Sequence, residues 1–87
     1  MSQRQHQRHY GTLILNTNKS YALQEDGESE AIVHTFTTGD PIQIWLGDQW
    51  IEGRIEYGGE KNGYYFLSNG GGSVGLMYGM RTRIDSN

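Results

Sequence analysis

Residues 41–57, PIQIWLGDQWIEGRIEY, alternate with period two on both sides of a Gly-Asp turn. No other segment constrains the fold as tightly. Ile42, Ile44 and Leu46 alternate with Gln43 and Trp45, and Ile51, Gly53, Ile55 and Tyr57 alternate with Trp50, Glu52, Arg54 and Glu56. Side chains two apart share one face of a strand, so both arms read as strands of a hairpin. Gly47-Asp48 as a two-residue type II′ loop sets Leu46 opposite Gln49, Trp45 opposite Trp50, Ile44 opposite Ile51 and Ile42 opposite Gly53. A slip of one residue would mix the two faces. The expectation is an isoleucine face packed on a core, with a cross-strand tryptophan pair on the less buried face beside Gln43, Glu52 and Arg54.

The remainder repeats the theme in shorter pieces. GTLILN, the turn TNKS and YALQ form a second hairpin pattern, and AIVHTF, YYFLS, VGLMYGM and RTRI are further short strand candidates. No eleven-residue stretch carries apolar residues at helical spacing free of Gly, and LMYG allows a single turn at most. Thirteen Gly, one Pro and no Cys in 87 residues give a turn-rich chain with no disulfide or thiolate-bound metal. A chain of this size buries only about 60–65% of its unfolded surface. Five to seven short strands must therefore share one core, and a sheet curled on itself, an all-β partly open barrel, achieves this. Residues 1–9, rich in Gln, Arg and His, read as a disordered arm, and residues 10–85 as a single domain.

Several functions are disfavoured. Gly70, Gly72 and Gly75 match the G-x-G-x-x-G spacing of nucleotide-binding loops. That motif needs a following helix to bind phosphate, and the chain after Gly75 runs LMYGMRTRIDSN, with no room for a crossover. Asn69–Gly72 reads instead as a hairpin connection with positive φ at several positions, and Gly75 and Gly79 as relief of crowding at bends. His6 and His9 lack a third ligand, and EDGESE lacks the register of a calcium loop, so no metal is assigned. Catalysis is not expected. Cys is absent, no Ser sits in a G-x-S-x-G elbow, His34 stands alone in the domain, and Glu52 and Glu56 flank Arg54 as charge partners. So small a domain also leaves little room for a pocket of about 300 Å³ or more. No cofactor is implied. Without an apolar run of about 20 residues or an apolar leader segment, the expected location is cytoplasmic, with no membrane partner.

Charge is uneven. Arg4, Arg8 and Lys19 make residues 1–20 basic, residues 21–60 hold nine carboxylates against Arg54, and Lys61, Arg81 and Arg83 outweigh Asp85 at the end, for a net −3. Exposed Trp and Tyr are efficient contact residues, because they bury much area for little entropy. Trp45, Trp50, Arg54, Tyr57 and Tyr64 are the candidate binding residues, with a protein as the expected partner. The competing reading of either tryptophan is a small second core, covered by the N-terminal hairpin or the acidic loop. Tyr64 and Tyr65 must point to opposite faces. A nucleic-acid module stacking bases on the aromatics is the alternative, and it requires Arg4, Arg8, Arg54, Arg81 and Arg83 to converge on them. The acidic middle of the chain weighs against it.

The order GTLILNTNKSYAL, TTGDPIQI, WIEGRIEY, GYYFL and GMRTRI resembles a family of small bacterial domains of unknown function, known mainly from Gram-positive bacteria and their mobile elements. The most specific parts are Gly39-Asp40, Trp50, Arg54-Ile55-Glu56, Tyr64-Tyr65 and Arg83-Ile84, within a likeness over residues 10–84. Gln43, where that pattern has Glu, and the enlarged Gly70–Gly72 loop depart from it. The resemblance implies an SH3-like small β-barrel and no assigned activity.

Overall fold

The computed structural model describes residues 7–27 and 30–86. The strands are β1 (Gln7–Leu15), β2 (Tyr21–Glu25), β3 (Ile32–Thr35), β4 (Pro41–Leu46), β5 (Gln49–Tyr57), β6 (Tyr64–Ser68), β7 (Ser73–Gly75) and β8 (Arg81–Ser86). One helical turn, α1 (Gly59–Asn62), interrupts them in the glycine-rich GGEKNG segment that reads as a loop by sequence. The fold is all-β: eight antiparallel strands in one sheet, ordered β3-β2-β1-β8-β4-β5-β6-β7, one strand more than the five to seven expected. The sheet is not closed, and β3 and β7 stand at its two edges.

The β4–β5 register is the one the alternation dictates, with Leu46 opposite Gln49, Trp45 opposite Trp50, Ile44 opposite Ile51 and Ile42 opposite Gly53. The turn type differs from expectation. Gly47 has φ 58° and Asp48 has φ 65°, so both central residues are left-handed and the turn is type I′, not II′. Asp tolerates that region better than most residues, because its short polar side chain can hydrogen-bond locally.

The inner face carries one core. Leu13, Leu23, Phe36, Ile42, Ile44, Ile55, Phe66, Leu76 and Ile84 form a single buried cluster. Eight strands laid flat would span about 34 Å, too wide for side chains from β2 and β6 to share a core. The sheet therefore curls around these residues. Two glycines permit the close approach this requires. A Cβ at Gly11 would collide with the backbone carbonyl of Gln24, and one at Gly53 with the carbonyl of Leu67 and the ring of Phe66.

Crowding relief thus falls at Gly11 and Gly53, not at Gly75 and Gly79. Nothing lies within 4 Å of a Cβ built on either of the latter, and Gly79 serves through its φ of 96° in the turn before β8. The Asn69–Gly72 connection closes β6 onto β7, with the Ser68 amide donating to the Gly72 carbonyl at 2.8 Å. Only Gly71 of these four is left-handed, where several positive φ values were expected. The N-terminus also departs from expectation. Residues 7–9, read as part of a disordered arm, are strand, because they pair with 84–86 of β8 through backbone contacts that hydropathy does not register. Residues 1–6 of that arm lie outside the described residues.

The glycine assignment is testable. Gly53→Ala should cost at least about 2 kcal/mol, the scale of an overpacked core position. Gly75→Ala, in open space, should change stability by no more than about 0.5 kcal/mol. Urea denaturation of both variants measures the difference, and equal costs would refute the close-approach role of Gly53.

Candidate functional site

Alternation on the central strands sends a second set of side chains to the outer face. From β1 come Arg8 and Tyr10, from β8 Arg81, Arg83 and Asp85, from β4 Gln43 and Trp45, and from β5 Trp50, Glu52, Arg54 and Glu56. Tyr10 stands opposite Arg83, and Arg83 opposite Gln43, so one row crosses three strands. The large side chains of this face meet. Trp45 and Trp50 form an edge-on pair with centroids 5.3 Å apart, and Tyr10 meets Trp50 edge-on at 5.9 Å. The Arg83 guanidinium lies 4.3 Å from the Trp50 ring centre and 5.8 Å from that of Tyr10, and Arg81 lies 5.9 Å from Tyr10. Each such aromatic or cation–π contact contributes about 0.5–1.5 kcal/mol.

The two tryptophans are not equivalent. Trp50 is half-buried beneath Tyr10 and Arg83, whereas Trp45 is 41% exposed. Gln43 is buried under this layer, its Oε1 accepting from Arg83 Nε at 2.6 Å. Around the aromatics the charges are arranged in pairs. Arg8 binds Asp85 through Nε at 2.6 Å and Nη2 at 3.3 Å. Arg81 reaches both carboxylate oxygens of Asp26, at 2.8 and 2.7 Å, and Arg54 pairs with Glu56. Arg83 has no carboxylate within salt-bridge reach among the described residues; its partners are Gln43, Tyr10 and Trp50.

These cations set local acidities. Hydrogen bonding from Arg8, and secondarily from Arg83, holds the Tyr10 phenol below its ordinary 10.0. Hydrogen bonding from Arg81 holds Asp26 below its ordinary 3.8. The same contacts raise the pKa of Arg8 and Arg81.

The expected binding residues divide between faces. Trp45, Trp50 and Arg54 share the outer face. Tyr57 and Tyr64 pair with each other on the opposite face, centroids 4.8 Å apart. There they line an open cleft of 430 Å³ with Asn18, Lys19, Glu60 and Gly63. The expectation was little room for a pocket of about 300 Å³ or more; this open cleft exceeds that size and is lined from the β1–β2 turn, β5, α1 and the start of β6. Tyr65 points the other way, as alternation requires. The remaining candidates have local partners. His9 contacts Glu25 at 2.7 Å, His34 contacts Asp40 at 2.8 Å, and His6 lies outside the described residues.

Tyr10 is the member of the cluster that the sequence did not nominate, and Arg81 and Arg83 entered only through charge. The alternation in RTRI places both arginines on one face. Bringing them beside Tyr10 and Trp50, however, depends on β8 inserting between β1 and β4, a long-range pairing with no local signature.

A family model for a domain of unknown function, DUF5348, matches residues 11–84. The chain belongs to the DUF5348 family. No curated protein and no solved structure matches it. The DUF5348 match begins after Tyr10 but spans Gln43, Trp45, Trp50, Arg81 and Arg83, so nearly the whole outer-face cluster lies within the family's domain. No helix among the described residues is long and apolar enough to cross a membrane.

The charge pairs predict a pH dependence with a definite sign. Asp26 has its pKa lowered in the fold, so its stabilisation is present above 3.8 and is lost as pH falls through the lower folded value. Arg81→Gln should return Asp26 to the ordinary carboxylate range in a carboxyl NMR titration and flatten that part of the acid limb. An unmoved Asp26 titration would show that the pair does not form in solution.

Proposed function

We propose that this DUF5348 domain is a non-catalytic protein-interaction module, and that it contacts its partner through the outer face centred on Trp45. The supporting observation is the connected Tyr10, Trp45, Trp50 and Arg83 cluster, which leaves Trp45 exposed while its neighbours are fixed by packing. Tyr, Trp and Arg are the residues that most often dominate binding energy, and rigid anchors lose little entropy on association. On this face Arg8, Arg54 and Arg81 are paired with Asp85, Glu56 and Asp26, and Glu52 and Arg83 stand among them, which suits a partner surface of mixed charge.

One observation favours a second reading. Arg8, Arg81 and Arg83 do gather around Tyr10 and Trp50, as a base-stacking nucleic-acid surface requires. Against it stands the pairing of Arg8 and Arg81 with carboxylates in a chain of net charge −3, since sequence-independent binding to a polyanion needs unneutralised cations.

The deciding experiment captures partners from source-cell lysate on the immobilised domain, with and without nuclease, using wild type and Trp45→Ala. The expected partner survives nuclease, is lost with Trp45→Ala, and binds again when both proteins are purified. Trp45→Ala should cost no more than about 1.5 kcal/mol of stability, the loss of one aromatic pair. Ile44→Ala, on the core face, should cost about 2–5 kcal/mol. Material that disappears with nuclease would overturn the protein-binding reading in favour of the nucleic-acid one.

A further inference from the structure

Arg83 is held by contacts to Gln43, Tyr10 and Trp50 and, among the described residues, lacks the counter-ion that Arg8, Arg54 and Arg81 have. Its guanidinium packs 4.3 Å from the Trp50 centroid, and its Nε donates to Gln43 Oε1 at 2.6 Å. Both contacts fix the plane of the group without neutralising it, because Gln43 is an uncharged amide. The Nη donors have no carboxylate in reach among the described residues, while Arg8, Arg54 and Arg81 each have one. A guanidinium oriented by Gln43, Trp50 and a hydrogen bond to the Tyr10 hydroxyl keeps further Nη hydrogens that face no described carboxylate, and these present the planar fork that matches a carboxylate in bidentate geometry. Exposed Trp45 lies on the same face, ready for an adjacent apolar side chain.

From this we infer that Arg83 is the anchor for an Asp or Glu side chain of the protein partner, with the residue beside that acid packing on Trp45. The inference rests on the interaction role proposed above and specifies its chemistry. A single carboxylate is favoured over a phosphate chain because Asp85, Glu52 and Asp26 share the surface. They leave one cation unmatched locally but repel an extended polyanion. The identity of residue 43 is part of the device. A Glu there would neutralise Arg83 from within and close the site.

The test begins with a random peptide library displayed on phage and selected on the nuclease-treated wild-type domain. Selected peptides are then measured by calorimetry at 0.15 M salt on wild type, Arg83→Lys, Gln43→Glu and Trp45→Ala, each first checked by circular dichroism melting. The expected peptides carry Asp or Glu next to a bulky apolar residue. They should lose at least about tenfold in affinity with Arg83→Lys, which keeps the charge but not the fork, and with Gln43→Glu. Changing the peptide's acid to its amide should cost wild type the same factor and cost Arg83→Lys little. Binding that needs Trp45 but is indifferent to Arg83→Lys would overturn the anchor while leaving the surface standing. Peptides indifferent to all three variants, or a selection that yields none, would overturn both. Arg83-dependent quenching of tryptophan fluorescence by a fifteen-residue oligo-dT at the same salt would assign the fork to phosphate and overturn the carboxylate occupant.

Discussion

The β4–β5 register is the constraint from which the rest of the structure follows. Two left-handed residues, Gly47 and Asp48, reverse the chain with a twist matched to the strands, and Trp45 is thereby fixed opposite Trp50. Every residue of both strands is then assigned to a face. Ile42, Ile44 and Ile55 enter the core, and Gly53 comes to lie where Phe66 must cross it. Displacing the register by one residue would bury Glu52 and Arg54 and expose the isoleucines, so the turn and the core enforce the same solution.

A sheet of this kind has to stabilise two faces with few apolar residues. The inner face does so by burial. The outer face uses packing between large side chains that keep their polar ends: Trp50 under Tyr10 and Arg83, and Gln43 beneath them with its amide bonded. No buried side-chain nitrogen or oxygen among the described residues lacks a partner. The ion pairs on this face are exposed, and each contributes little alone, at most about 1 kcal/mol. Their consequence is geometric. They hold Arg8 and Arg81 at the rim and leave the centre of the face to Arg83 and the aromatics.

Much of this was legible in the sequence, and the limits have physical causes. The β4–β5 pairing could be read residue by residue, because both arms alternate and the loop has two residues. Its turn type is not legible, because Gly at the first position is compatible with I′ and II′ alike, and the left-handed φ of Asp48 marks the turn as I′. Residues 7–9 were missed as strand since Gln, Arg and His carry no alternation, and their order comes from β8, more than seventy residues away. The candidate residues Trp45, Trp50 and Arg54 were correctly placed together by parity. Tyr57 and Tyr64 were grouped with them on composition alone, and parity places both on the other face, where the cleft lies. The convergence of Tyr10 with Arg83 required strand order, which local pattern does not encode.

The same strand order fixes how the outer face is built. The site is spread over β1, β8, β4 and β5, elements whose backbones are paired on both sides, so its side chains are positioned by the most constrained part of the fold. A surface with an exposed tryptophan, and with a guanidinium that has no carboxylate partner among the described residues, can gain free energy by covering the first and pairing the second. On the proposed role, both gains come from a partner that brings its own apolar and acidic groups to side chains already held in place by packing.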